Sequence, residues 1–192
     1  GYTERRHYVA RYDGDITYTD AELGRLIAAL EADNRSDTLV IVTADHGESM
    51  TDHDRYFCHG SLYNHDLHVP FIVWGPGIVA PGPAPAGVSS HVDVLPTLLD
   101  YGGVGSLPGF AGASLRPALE GGALPKRDWV LSVVGRSDNL RYALHGAGGL
   151  KVLTNAKGGL ESVWNVASDP SESKALRGAG RKAGRLLSRD FA

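Results

Sequence analysis

The chain has 192 residues, enough for one ordinary domain or a domain with a small appendage. Its 42% hydrophobic and 21% charged content is that of a soluble globular protein, and a formal net charge of −3 gives no general reason to expect nucleic acid as a partner. A single cysteine, Cys58, excludes an intrachain disulfide framework, and no run approaches the ~20 apolar residues that span a bilayer. The charge is unevenly placed: residues 1–125 carry 7 Lys/Arg against 16 Asp/Glu, and residues 126–192 carry 12 against 6. That basic end lacks the aromatic interleaving of a nucleic-acid surface and reads as a separable region that packs on acidic surface elsewhere. The chain starts at Gly1, shows no signal peptide and opens on residues that look like an enzyme interior, so a fragment is expected and the compartment is left open.

From about Glu4 to Ala32 the period is helical. Val9, Tyr12, Ile16, Leu23, Ile27 and Leu30 fall at steps of three, four or seven, which predicts one buried stripe. Asp33-Asn34 offers a stop. Asp20, inside this helix, reads as a surface or structural carboxylate. Leu39 to Thr43 is a continuous β-prone run, expected to be a central strand covered on both faces, and the helix-turn-strand order suggests a βαβ arrangement. Asp45 and His46 follow at its carboxyl end, the edge where open α/β sheets carry ligands, and Gly47 lets the backbone turn sharply. Val69 to Gly75 reads as a second buried strand, and residues 76–88 as a Pro/Gly/Ala-rich surface loop. His91-Val92-Asp93 leads into a short helix stopped by Gly102-Gly103, with Asp93 read as its cap rather than as a site residue.

Ser114 to Leu119 reads as a single turn. Trp129–Val134, Leu140–His145, Leu150–Leu153 and Ser162–Val166 then predict an antiparallel meander, and Asp169-Pro170-Ser171-Glu172 opens a basic helix expected to run through Leu187. The expected fold class is α/β, divided into an α/β portion over residues 1–120 and a small antiparallel β subdomain with a terminal helix over residues 121–192.

Five of the eight histidines lie between positions 46 and 68. Asp45 offers a carboxylate oxygen and His46 an imidazole nitrogen, a mixed pair suited to a divalent cation, but four to six donors are usual and the others must come from elsewhere. His59, freed by Gly60, is a candidate to neutralise an anionic substrate or to donate a proton to a leaving group. His53, His65 and His68 read as structural or solvent-facing. No activating base or oxyanion donors can be identified for Cys58, and neither a Gly-x-Ser-x-Gly elbow nor a phosphate-cradling loop occurs. The residues alone support a metal-assisted hydrolase of an anionic ester.

Thr43-Ala44-Asp45-His46-Gly47-Glu48, Asp52-His53, His59, Val69-Pro70 with its following apolar run and Gly75-Pro76-Gly77 resemble the sulfatase family of the alkaline phosphatase superfamily. Tyr12-Asp13-Gly14-Asp15-Ile16, Val92-Asp93-Val94-Leu95-Pro96-Thr97, Trp164-Asn165-Val166 and Asp169-Pro170-Ser171-Glu172 are similar to it as well, in the family's order. The resemblance implies an alkaline-phosphatase-like mixed sheet between helices. It also implies cleavage of sulfate esters, with relatives acting on phosphonate monoesters or phosphodiesters. It places one divalent ion, often calcium, on two amino-terminal carboxylates and a second pair matching Asp45 and His46. His46 stands where many members have Asn, which leaves manganese or zinc open. His59 matches a Lys or His that contacts the sulfuryl or phosphoryl group.

The family's formylglycine arises from a Cys/Ser-x-Pro-x-Arg motif. Cys58 is followed by His59-Gly60-Ser61-Leu62 and does not fit it. The nucleophile and the first metal carboxylates are therefore expected in an amino-terminal portion absent from this sequence, which would be the chain's principal partner. The expected substrate is an anionic small-molecule or carbohydrate ester. The alternatives are a phosphonate monoester or phosphodiester hydrolase of the same superfamily, or a non-catalytic metal-binding module on this fold.

Overall fold

Helix α1 (Arg5–Ala32) takes nearly the span its periodicity predicts and ends at Asp33, whose backbone N–H closes on the Ala29 carbonyl. Its stripe is less buried than the period implies: Leu23, Ile27 and Leu30 are half-buried, while Tyr12 and Ile16 are exposed. The computed structural model describes residues 4–79, 87–105, 108–178 and 180–182. It divides into two compact units, one of residues 1–59 with 69–76 and the other of residues 60–68 with 77–192.

In the first unit, β1 (Val40–Thr43) and β2 (Phe71–Trp74) pair antiparallel, with Val40 opposite Trp74 and Thr43 opposite Phe71. The parallel βαβ pairing suggested by the sequence is not found among the described residues. Both strands are half-buried rather than covered on two faces, because two strands have no third layer of their own to shield them and α1 contributes no fully buried side chain. Gly75 ends β2 at φ +148°, where an added Cβ would come within 2.8 Å of the Thr38 carbonyl oxygen. Only glycine permits that conformation and that approach together.

The second unit is built on a four-stranded antiparallel meander of β3 (Trp129–Val134), β4 (Arg141–Gly146), β5 (Leu150–Asn155) and β6 (Leu160–Asn165), in sequence order. These are the four segments expected, each within two residues. The register places Leu144, Val152 and Val163 side by side, packed with Leu131, Leu160 and Leu176. Alternate residues turn to the other face, where Ala143, Leu153 and Trp164 pack with Leu62, Tyr63 and Leu67. This sheet is therefore buried on both sides, and its central strand β5 is buried from Lys151 to Thr154.

A short helix, α2 (Asn64–Leu67), sits among the residues that cover that second face. The segment is held by charge as well as by packing. Lys151 Nζ lies 2.5 Å from Glu172 Oε1 and 3.1 Å from Asn64 Oδ1, and Glu172 Oε2 accepts the Asn64 backbone N–H at 2.5 Å. The side chains of Lys151 and Glu172 are 0% and 1% exposed. Asp93 is also wholly buried. It stands at the start of α3 (Val94–Tyr101), accepts the N–H groups of Ser90 and Ala113, and pairs with Arg127 at 2.6 Å. Asp93 holds the cap position expected from the sequence, but its carboxylate makes no cap hydrogen bond to α3 and reaches back to the Ser90 N–H and across to Ala113 and Arg127 instead. The expected turn is α4 (Arg116–Leu119).

From Asp169 the chain makes turns rather than a helix. The Asp169 carboxylate accepts the N–H groups of Ser173 and Lys174, which holds its pKa below the ordinary carboxylate value. Among the described residues of this segment helical backbone appears only at 180–182, and residues 179 and 183–187 of the expected terminal helix lie outside the described residues, as do residues 80–86 of the 76–88 loop. No helix among the described residues is long and apolar enough to cross a membrane.

Candidate active site

The first unit brings Asp45, His46 and His59 together just beyond β1. The Asp45 carboxylate turns back on its own chain, Oδ1 accepting the His46 backbone N–H at 3.0 Å, and the side chain stays 90% exposed. His46 Nδ1 lies 2.7 Å from the Gly47 carbonyl oxygen. A carbonyl can only accept, so Nδ1 carries the proton, and in the neutral ring the lone pair belongs to Nε2. That nitrogen lies 3.7 Å from Asp45 Oδ2.

This is a fit for one cation. Two donors held ~2.1–2.4 Å from a common ion sit about 3–4 Å apart, and a backbone carbonyl on the other ring nitrogen is the usual way a ligating imidazole is oriented. Among the described residues no group of three or more His, Cys, Asp or Glu is assembled to hold a metal. Asp45 and His46 by themselves offer two donors.

His59 arrives from thirteen residues downstream, and local backbone pairing brings it back. Ser49 and Cys58 form an isolated antiparallel bridge, Ser49 N–H donating to the Cys58 carbonyl at 2.9 Å. Ser49 is completely buried, and its hydroxyl ties down the intervening loop, donating to Arg55 O at 2.8 Å and accepting the Asp52 N–H at 3.2 Å. An antiparallel bridge at 49 and 58 sets the next pair outward, 48 and 59, opposite each other. Glu48 and His59 meet accordingly, Glu48 Oε2 lying 3.4 Å from His59 Nδ1. The His59 ring stacks on that of His46 at 3.9 Å between centroids with 23° between planes. Its backbone carbonyl accepts Arg55 Nη2 at 3.0 Å.

The other histidines go elsewhere. His65 belongs to the second unit, where it is 13% exposed, lies 3.2 Å from Ser61 Oγ and stacks with Tyr63. His68 is exposed after α2, and His53 sits in the loop turn with φ +52°. Cys58 is a free, half-buried thiol. Glu48 was not singled out from the sequence. The signal was its place, since it borders one end of a loop whose other end is His59. Ser49 was missed because a buried serine that organises a loop has no compositional signature.

The α/β fold is that of solved sulfatases. A 2-O GAG sulfatase superposes with a TM-score of 0.80 at 26% identity, over 97% of this chain and 42% of the other. A phosphonate monoester hydrolase from Silicibacter pomeroyi gives 0.66 at 26% identity, over 90% and 37%. The sulfatase family model matches residues 1–104, the stretch that holds Asp45, His46 and His59, and the chain belongs to that family. Arylsulfatase K of Mus musculus is 34% identical over 180 residues, 88% of this chain and 32% of that protein. The chain thus spans about a third of the length of that relative.

Proposed function

We propose that this chain supplies part of the active site of a divalent-metal-dependent sulfuric ester hydrolase. The observation that carries the reading is the cluster itself: a carboxylate and an imidazole with donor atoms 3.7 Å apart, and a second imidazole stacked on the first at 3.9 Å. Asp45 Oδ2 and His46 Nε2 would hold the ion, calcium being the expected one with manganese or zinc as substitutes. The bound ion supplies positive charge that polarises the ester and the nucleophile. His46 is kept in the right tautomer by the Gly47 carbonyl. His59 meets the anionic group being transferred, where an N–H donor stabilises oxygen charge as the ester bond breaks. The formylglycine nucleophile and the remaining metal donors come from residues outside this chain.

The test is made on the intact protein containing this chain, loaded with calcium and assayed on an aryl sulfate, sugar sulfates and a phosphonate monoester. Sulfate release is expected. Asp45→Ala and His46→Ala should lower both metal affinity and turnover, and His59→Ala should cut turnover by roughly 10²–10⁴-fold. Full turnover in all three variants, or no ester hydrolysed at all, would sink the proposal. The likeness to the phosphonate monoester hydrolase favours one second reading, in which a phosphonate monoester is turned over faster than any sulfate.

A further inference from the structure

The geometry points to Glu48 as the residue that positions His59. This inference rests on the proposed role of His59 and deepens it. Four observations converge, all within the first unit. First, the Ser49–Cys58 bridge places residues 48 and 59 opposite each other through backbone alone, so the pairing does not depend on a chance side-chain conformation. Second, Glu48 Oε2 is the acceptor beside His59 Nδ1, at 3.4 Å. Third, the Glu48 side chain is 28% exposed against 53% for His59, and its other oxygen, Oε1, is buried with no hydrogen-bond partner among the described residues. Fourth, Arg55 holds the His59 carbonyl at 3.0 Å and the His46 ring stacks on one face of the His59 ring. Backbone and ring plane are thereby restrained, and rotation of the ring within its plane's two flip states is left for the Glu48 contact to decide.

A carboxylate only accepts, so His59 must present Nδ1–H to Glu48. That holds for the cationic ring and for the neutral one. In the cationic ring Nε2–H is then the donor left for an ester oxygen. Without Glu48 the ring can flip, so the orientation that presents Nε2–H to the ester is populated only part of the time. The contact at 3.4 Å is long for a hydrogen bond, and such contacts shorten when a charged ligand arrives. Glu48 is therefore a positioning residue, acting through His59 and not on the substrate. Orienting partners of this kind are worth roughly 10–100-fold where they have been removed from imidazole ligands.

Two measurements on the full protein separate this inference from the hydrolase reading. The first is nitrogen-15 NMR of the His59 ring, which distinguishes Nδ1–H from Nε2–H tautomers and needs no substrate. The native ring should be an Nδ1–H donor. Glu48→Ala should shift it towards the mixture of a free imidazole, and Glu48→Gln, whose amide oxygen still accepts, should keep it. The second is kinetics. Glu48→Ala should lower kcat about 10–100-fold with KM changed less than about threefold, Glu48→Gln should recover most of that loss, and Glu48→Ala with His59→Ala should be no slower than His59→Ala alone. An unshifted tautomer in Glu48→Ala overturns the inference, as does an effect of Glu48→Ala that persists in full when His59 is already alanine. A shifted tautomer in a protein that hydrolyses no ester supports the Glu48–His59 pairing and overturns only the hydrolase reading.

Discussion

Replacing Glu172 by Gln should destabilise the second unit by about 3–5 kcal/mol, the usual cost of leaving one member of a buried ion pair without its partner. The structure puts the pair at the severe end. Both side chains are at most 1% exposed, and the Lys151 ammonium meets the Glu172 carboxylate at 2.5 Å and the Asn64 carbonyl oxygen at 3.1 Å, with the Asp66 charge a lesser electrostatic support. Asn64 Oδ1 cannot compensate a full charge. At roughly 2–4 °C per kcal/mol for a chain of this size, the melting temperature should fall by roughly 6–20 °C.

A pH series checks the cause. Burial lowers the Lys151 pKa from 10.5, and the Glu172 hydrogen bond and charge oppose that shift. A lysine whose folded pKa lies below its unfolded one costs stability at neutral pH. The cost lifts as pH climbs from the folded value towards 10.5. Without Glu172 the folded pKa drops further, so the deficit of Glu172→Gln should shrink between pH 7 and 9.5. Urea unfolding followed by far-ultraviolet circular dichroism at both pH values measures it. The double variant Lys151→Met/Glu172→Leu should regain most of the lost stability, since well-packed apolar pairs replace buried ion pairs at little cost. A deficit for Glu172→Gln below about 1 kcal/mol, or a double variant as unstable as the single one, would refute the reasoning.

His145 predicts a second pH dependence, of the same sense but in a lower pH window. Burial, reinforced by the Lys151 charge, lowers its pKa from 6.5 to about 4, and its Nε2 is buried without a hydrogen-bond partner among the described residues. Both states are neutral above pH 6.5. As pH falls towards 4 only the unfolded chain takes up the proton, so stability should drop by about 3 kcal/mol over that interval, and His145→Leu should flatten the profile in chemical denaturation. In the first unit, Gly75→Ala should cost about 1–3 kcal/mol through its positive φ and the 2.8 Å approach to Thr38 O. Faster hydrogen exchange at Val40–Thr43 would report it, and unchanged protection would contradict it.

The meander was legible because each of its strands is a short β-prone run bounded by Gly or polar turns, and because pairing of sequence neighbours needs no long-range information. The α1 limits were legible for the same local reason. Its burial was not, since Tyr12 and Ile16 carry the right period and still lie exposed. Periodicity tells which face is apolar and nothing of what covers it. The β1–β2 pairing was not legible, because an apolar run suits both parallel and antiparallel partners, and the register of Val40 on Trp74 is what shows the antiparallel one. At the site, residue chemistry and resemblance pointed to Asp45, His46 and His59, and the structure draws them together. Glu48 and Ser49 escaped notice because their importance lies in backbone pairing across nine residues, which no local pattern records.

That pairing also ties together two parts of one stretch of chain. Thr51, His53, Asp54 and Phe57, none of them glycine, all adopt positive φ inside the loop that Ser49 and Cys58 close. The positive φ angles lie between the two bridged residues and not at Glu48 or His59. Tyr56, 64% exposed at the loop's crest, is free of any duty to the core. The loop is a closed cassette on a fixed mount, and Arg55 inside it braces that mount through the His59 carbonyl, so the loop and the two side chains at its neck are mechanically one piece.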